Sequence, residues 1–252
     1  MLMLIGLGLE TKDLSVRALE ALKSADRVLA EQYTTILPGG YIDFLEKETG
    51  KRIQFIKRSD LEENVDATIK DSKTKNIALL IPGDPLVATT HHIVADAAKK
   101  VGASVEVFHS SSIFSAAIGV SGLDIYRFGP TTTVPFWSAK YKPTSFLDVI
   151  MKNQSNGQHT LVLLDIDAAE GRHMNASEAV ALLLKAEEEK GYGVLTPDTR
   201  VIVLCDIGRN IQAIDYTTIG KATSDRAKAT ALIIPARLNF AEEESLRANS
   251  LK

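Results

Sequence analysis

Short apolar runs rich in β-branched residues alternate with helix-like segments along most of the chain. The runs Leu2–Ile5, Arg27–Ala30, Ile53–Ile56, Asn76–Ile81, Ser104–Phe108, Thr160–Leu164, Arg200–Cys205 and Ala231–Ile234 predict strands. Between them, Leu14, Ala18, Leu19 and Leu22 repeat on one helical face. Ile93, Val94, Ala97, Ala98 and Val101 do the same before Gly102. Ala176–Lys190 is the clearest helix, with Ala179, Leu182, Leu183 and Ala186 facing inward and the run Glu187–Glu188–Glu189 read as solvated surface. Such alternation predicts an α/β protein with a largely parallel sheet in its first half. Phe128–Pro143 interrupts the pattern with Gly129, three prolines, Thr131–Thr132–Thr133 and the aromatics Phe136, Trp137 and Tyr141. That composition predicts a long connection or a substrate-contacting loop. A soft domain boundary is placed just before it, near residues 112–125, dividing the chain into domains 1–115 and 116–252.

Composition narrows the class. The 252 residues are 45% hydrophobic and 24% charged, and 29 Lys+Arg face 32 Asp+Glu for a net charge of −3. These values describe a globular chain and exclude disordered, collagen-like and coiled-coil classes. Mild acidity argues against broad binding of nucleic acid or anionic membranes. The longest apolar stretches are far too short to cross a bilayer, and Met1–Leu9 reads as a strand rather than a secretion signal. One cysteine, Cys205, excludes an intrachain disulfide and a thiolate zinc cluster, and no metal is expected. A cytoplasmic protein is expected.

Two segments carry candidate chemistry. Gly6-Leu7-Gly8-Leu9 directly follows the opening strand, where glycine lets the backbone turn tightly and approach a ligand. It is not the dinucleotide fingerprint, because Thr11 stands where the third glycine would be and Glu10 would oppose a pyrophosphate. The second segment, Ile81–Thr90, runs from a buried strand into Pro82-Gly83-Asp84-Pro85, with a helix expected to begin around Val87–Ala88. The prolines fix the turn, Gly83 permits positive φ, and Asp84 offers a carboxylate at the strand's carboxyl end. Open α/β sheets bind ligands at that end. Adjacent His91 and His92 would point about 100° apart on a helix, so they are read as surface residues rather than a metal pair. Ser110–Ser112 lacks a nucleophile-elbow context, no phosphate-loop motif occurs, and Cys205 reads as a buried small hydrophobe. Pattern and spacing alone therefore lead to an α/β binder of a small ligand held near Gly6–Leu9 and Pro82–Val87.

At these same residues the chain resembles the diphthine synthases of the tetrapyrrole-methylase-like class. Leu4–Leu9 is similar to that family's opening strand and glycine loop. Leu19–Thr35 is similar to its helix and the following Glu-x-Tyr-Thr segment, and Pro82–His91 (PGDPLVATTH) to its signature. Gly122–Gly129 (GLDIYRFG), Pro143–Ile150 (PTSFLDVI) and His159–Ile166 (HTLVLLDI) extend the likeness over nearly the whole chain. The Gly-Asp-Pro turn recurs across the wider methylase class; the combination is much narrower.

The resemblance implies two α/β domains with a cofactor cleft between them, assembled as a homodimer. It implies S-adenosylmethionine as methyl donor, S-adenosylhomocysteine as product, and translation elongation factor 2 as protein substrate. The methylated group would be the amine of a 3-amino-3-carboxypropyl-histidine, in diphthamide biosynthesis. Carried over by position, the cofactor contacts are Leu9, Asp84, Val87, Ser112, Ile113, Leu164 and Ile207, with Thr230 at a further contact position. Departures from the family pattern are Cys205-Asp206-Ile207-Gly208 in place of Ala-Arg-x-Gly, and Thr230 in place of a histidine before the last strand. No side chain is singled out as a catalytic base. The protein-facing side is expected in Phe128–Tyr141 and Pro143–Phe146. The alternatives are a corrinoid or precorrin methyltransferase of the same fold, and a non-catalytic S-adenosylmethionine-binding protein.

Overall fold

A computed structural model describes residues 1–31, 37–62, 64–167, 170–224, 227 and 229–250. The Gln32–Thr35 part of the Glu-x-Tyr-Thr segment lies outside the described residues. The chain divides into two compact units, Met1–Ile113 and Phe114–Lys252.

The first unit runs β1 (Leu2–Gly6), α1 (Val16–Lys23), β2 (Arg27–Glu31), α2 (Tyr41–Thr49), β3 (Ile53–Ile56), α3 (Arg58–Glu62) and α4 (Val65–Ile69). It continues with β4 (Ile77–Ile81), α5 (His92–Lys100) and β5 (Val105–Phe108). Its five strands form one sheet in the order β3-β2-β4-β1-β5, and every pairing is parallel. β1 and β4 lie between two neighbours each and are buried along their whole length, which is why they read as continuous apolar runs. One core holds Leu2, Leu4, Ile77 and Leu79 against Val94 and Ala98 of α5. A second holds Met3, Ile5, Ala78 and Leu80 with Ala18, Leu22, Tyr41 and Leu45 of α1 and α2. Ile93 and Val101, at the ends of the expected α5 stripe, are instead exposed.

The helix after the Gly-Asp-Pro turn does not begin at Val87–Ala88. Ala88 has φ +57°, a left-handed conformation that cannot propagate a right-handed helix, and α5 starts only at His92. The extra loop residues carry His91 inward, where it is 2% exposed and not on the surface. His92 is exposed, as read from the sequence.

The second unit holds most of α6 (Ile113–Val120), then β6 (Thr132–Val134), α7 (Ser145–Ser155), β7 (Thr160–Leu164), β8 (Ile166–Asp167) and β9 (Arg172–His173). It ends with α8 (Ala176–Lys190), β10 (Arg200–Cys205), β11 (Ala213–Thr218), β12 (Thr230–Ile234) and α9 (Phe240–Ser250). The main sheet has the order β11-β10-β12-β7-β6, antiparallel except where β6 joins β7. α8 is framed by a capping box at Asn175 and Glu178 and by left-handed Gly191 at its end.

Two expectations change here. Phe128–Pro143 is not one long connection, because Thr132–Val134 pairs with β7 and Val134 is fully buried. Phe136 and Trp137 pack on this unit's core, and the Trp137 Nε1–H donates to the Pro143 carbonyl at 3.0 Å. Phe146 is likewise a core residue, whereas Tyr141 stays 65% exposed. Glu187 is not solvated. It is buried on the inner side of α8, and its carboxylate accepts the backbone N–H groups of Gly193, Val194 and Leu195 at 2.5, 3.3 and 3.1 Å. Among the described residues no helix is long and apolar enough to cross a membrane.

Candidate functional site

Parallel pairing of β1, β4 and β5 aims their following loops at one edge of the first sheet. The loops are tied directly to one another. Leu7 N–H donates to the Ile81 carbonyl at 2.8 Å, and Gly8 and Gly83 exchange backbone hydrogen bonds of 3.1 and 3.0 Å. Glycine is needed at both positions of the first loop. A Cβ on Gly6 would lie 2.7 Å from the Gly83 carbonyl oxygen, and one on Gly8 would lie 2.2 Å from the Asp13 Cβ. Gly8 also has φ +73°. From below, the buried Tyr41 hydroxyl donates to the Leu7 carbonyl at 2.7 Å. Burial, with Asp13 nearby, raises the Tyr41 pKa far above its ordinary value and keeps the hydroxyl protonated as a donor.

Asp13 organises the same edge. Its Oδ2 accepts the N–H groups of Leu9 and Glu10 at 2.9 and 3.1 Å and the Ser111 hydroxyl at 2.5 Å. Ser111 Oγ in turn accepts the Leu9 N–H at 3.1 Å, joining the first loop to the third. Asp84 joins the second loop to the third. Its Oδ1 accepts the Leu86 N–H at 3.0 Å, while Oδ2 meets His109 Nδ1 at 2.8 Å and the Ser110 N–H at 3.3 Å. Both carboxylate oxygens are thus engaged by the fold, although the side chain is only 7% exposed. Past this anchor, Leu86 and Val87 present apolar side chains at 40% and 37% exposure.

Of the residues singled out in the sequence, Leu9, Asp84 and Val87 are therefore brought to one edge, with Ser112 and Ile113 next along the third loop. Ser112 is buried and Ile113 half-buried. Leu164, Ile207 and Thr230 belong to the second unit. There Thr230 opens β12 opposite Cys205 at the end of β10, and its neighbour Ala231 pairs with Leu163, so Leu164 and the Ile207 loop share that sheet edge. Leu164 and Ile207 are buried at 8% and 5%. The Thr230 hydroxyl donates to Ser224 Oγ at 3.2 Å, inside its own unit. In the departing Cys205–Gly208 stretch, Asp206 takes φ +48° and its Oδ1 accepts from Arg209 at 2.9 Å and from the Ala229 N–H at 3.2 Å. Cys205 is half-buried rather than buried, and burial raises its thiol pKa, so it is a poor thiolate.

Asp13, Ser111, Tyr41 and His109 escaped the sequence reading, because each is defined by a partner distant in the chain. Only His109, a polar residue at the carboxyl end of a strand, carried a local signal.

A family model of tetrapyrrole (corrin/porphyrin) methylases matches residues 1–223. The chain belongs to that family of methyltransferases. Within it, the chain is 40% identical over 250 residues to the diphthine synthase of Methanococcus aeolicus, covering 98% of this chain and 97% of that one. It is 41% identical over 249 residues to the diphthine synthase of Methanosphaera stadtmanae, covering 98% and 94%. A crystal structure of diphthine synthase superposes with a TM-score of 0.88 at 33% identity, over 99% of this chain and 95% of that one. It is a diphthine synthase family member.

Proposed function

We propose that this methyltransferase acts in diphthamide biosynthesis. In this reading it transfers methyl from S-adenosylmethionine to the amino group of a 3-amino-3-carboxypropyl-histidine on translation elongation factor 2, giving diphthine. The observation that carries the reading is the convergence of the Leu9, Asp84 and Val87 loops, in a chain 40% identical over 250 residues to a diphthine synthase.

The residues present fit such a donor. Gly6 and Gly8 leave bare backbone at the strand ends, Leu86 and Val87 offer apolar surface, and Asp84 locks the turn that positions them. We assign Leu9, Asp84, Val87, Ser112 and Ile113 as the first unit's cofactor contacts. Leu164, Ile207 and Thr230 are the second unit's, with the backbone of Thr230 available because its hydroxyl is engaged. When bound, S-adenosylmethionine supplies an electrophilic methyl whose sulfonium leaves as a neutral thioether without acid assistance. The chain has to hold donor and amine in line and accept a proton. Orientation of that kind contributes on the order of 7–11 kcal/mol in well-aligned systems.

The protein works as a cytoplasmic homodimer in this reading, and light scattering should give twice the 27.4 kDa chain mass. A direct test offers labelled S-adenosylmethionine with either a corrin precursor or the modified factor. Label in the factor alone supports the proposal; label in the corrin alone overturns it in favour of a ring methylase.

A further inference from the structure

The PGDPLVATTH loop ends in a buried carboxylate–imidazole pair that the cofactor contacts do not use. Glu31, the last residue of β2, is fully buried, and His91, just before α5, is 2% exposed. Their Oε2 and Nε2 atoms lie 3.2 Å apart. On the other side of the ring, Nδ1 is hydrogen-bonded to the hydroxyl of half-buried Thr89. β2 is the parallel neighbour of β4, so Glu31 stands at the same carboxyl edge as the Asp84 turn.

A carboxylate taken out of water is costly unless it finds a partner, and the imidazole ring is the group that faces it. The pairing also fixes proton positions. In the tautomer that carries its proton on Nε2, the nitrogen facing the Glu31 carboxylate, Nδ1 is left to accept the Thr89 O–H. With its proton committed to the ring, Thr89 Oγ1 has lone pairs to offer an N–H group. A hydroxyl backed by a base, which is backed by a third group, is the arrangement that activates hydroxyl nucleophiles. Here the acceptor amine is the nucleophile, and the hydroxyl is suited to take its proton.

We propose that Thr89, His91 and Glu31 form the proton relay of the methyl transfer, with Thr89 contacting the amine and His91 and Glu31 acting as positioning residues. This rests on the amine-methylation reading above. The amine lone pair forms the N–C bond, and the C–S bond breaks with its electron pair remaining on sulfur. The proton released from nitrogen passes to Thr89 Oγ1 as the hydroxyl proton passes to His91 Nδ1. The imidazolium so formed is held by the Glu31 carboxylate until it loses its proton to solvent. A clamp that merely pins the loop to β2 would need the His91–Glu31 pair but not the Thr89 hydroxyl.

Single-turnover methylation of the aminocarboxypropyl-modified factor separates relay from clamp. Thr89→Val should lower the rate about a hundredfold or more, the scale of general-base catalysis, with the Kd for S-adenosylmethionine and the KM for the factor unchanged. Thr89→Ser should restore the rate, and His91→Asn should match Thr89→Val. A wild-type rate in folded Thr89→Val, or loss of cofactor affinity in step with the rate, overturns the relay. If wild-type protein leaves the modified factor unmethylated, the functional reading itself has failed. Because Thr89 is half-buried, its variants keep the test decisive should His91→Asn fail to fold.

Discussion

His109 Nδ1 lies 2.8 Å from Asp84 Oδ2, joining the loop after β5 to the Gly-Asp-Pro turn after β4. The carboxylate that marks the candidate site in the sequence is therefore first a brace between two loops. Replacing Asp84 with Ala removes that bond and those from Leu86 and Ser110 together. Losing the brace together with the proposed charged hydrogen bond to the cofactor, worth roughly 1.5–3 kcal/mol, should lower affinity for S-adenosylmethionine about ten- to a hundredfold. Asp84→Asn keeps one carbonyl acceptor and should fall between. Calorimetric titration of folded variants decides; unchanged affinity in Asp84→Ala would remove the turn from the site.

Glu187 provides a contrast, because its work is confined to the second unit. Glu187→Ala would strand the N–H groups of Gly193, Val194 and Leu195 after α8. Of the three residues only Leu195 is buried, and an unsatisfied buried donor costs about 1–3 kcal/mol. Denaturant unfolding should show a loss of that order, while cofactor affinity stays at the wild-type level. A variant as stable as wild type would mean that water replaces the carboxylate at no cost.

Acid should loosen the second unit through His159 and Glu242. His159 is fully buried, its Nδ1 accepts the Ala236 N–H at 3.0 Å, and its Nε2 donates to Glu242 Oε1 at 2.9 Å. Burial lowers its pKa below 6.5, outweighing the Glu242 carboxylate that favours the charged form. Burial pushes Glu242 upward, yet the Asn239 N–H and His159 hold its net pKa below 4.5. For both groups the unfolded chain binds protons more readily than the folded one. Their contribution is complete above the unfolded pKa and is lost as pH falls through the folded value. The melting temperature should therefore start to fall below about pH 6.5 and fall faster below about pH 4.5. His159→Gln should flatten the upper part of that decline. Parallel curves for the two proteins would assign the decline to other groups.

The first sheet was legible because both faces of its central strands are covered, which leaves uninterrupted apolar runs such as Ile77–Ile81. β11 was not, since Ala213–Thr218 is an edge strand whose residues are half-buried or exposed. β6 was hidden among prolines, although Val134 is fully buried. The glycine and proline turns of the site announced themselves, because close approach and fixed φ select those residues locally. What the pattern could not show were partners set by the fold: Glu31 for His91 and His109 for Asp84, far along the chain, and for Glu187 the N–H groups just beyond its own helix. A charged residue next to like neighbours reads as surface until such a partner is seen. The helix start was misplaced for a related reason, as nothing in Leu86-Val87-Ala88 signals that Ala88 turns left-handed.

Under the proposed function, this chain methylates one modified histidine and nothing simpler. Mass spectrometry of elongation factor 2, after incubation with the protein and S-adenosylmethionine, tests it most directly. A factor carrying 3-amino-3-carboxypropyl-histidine should gain methyl groups on that side-chain amine, while unmodified factor should gain none, since plain imidazole lacks the amine. Equal methylation of both forms, or none in either while cofactor binding is demonstrated, would contradict the account.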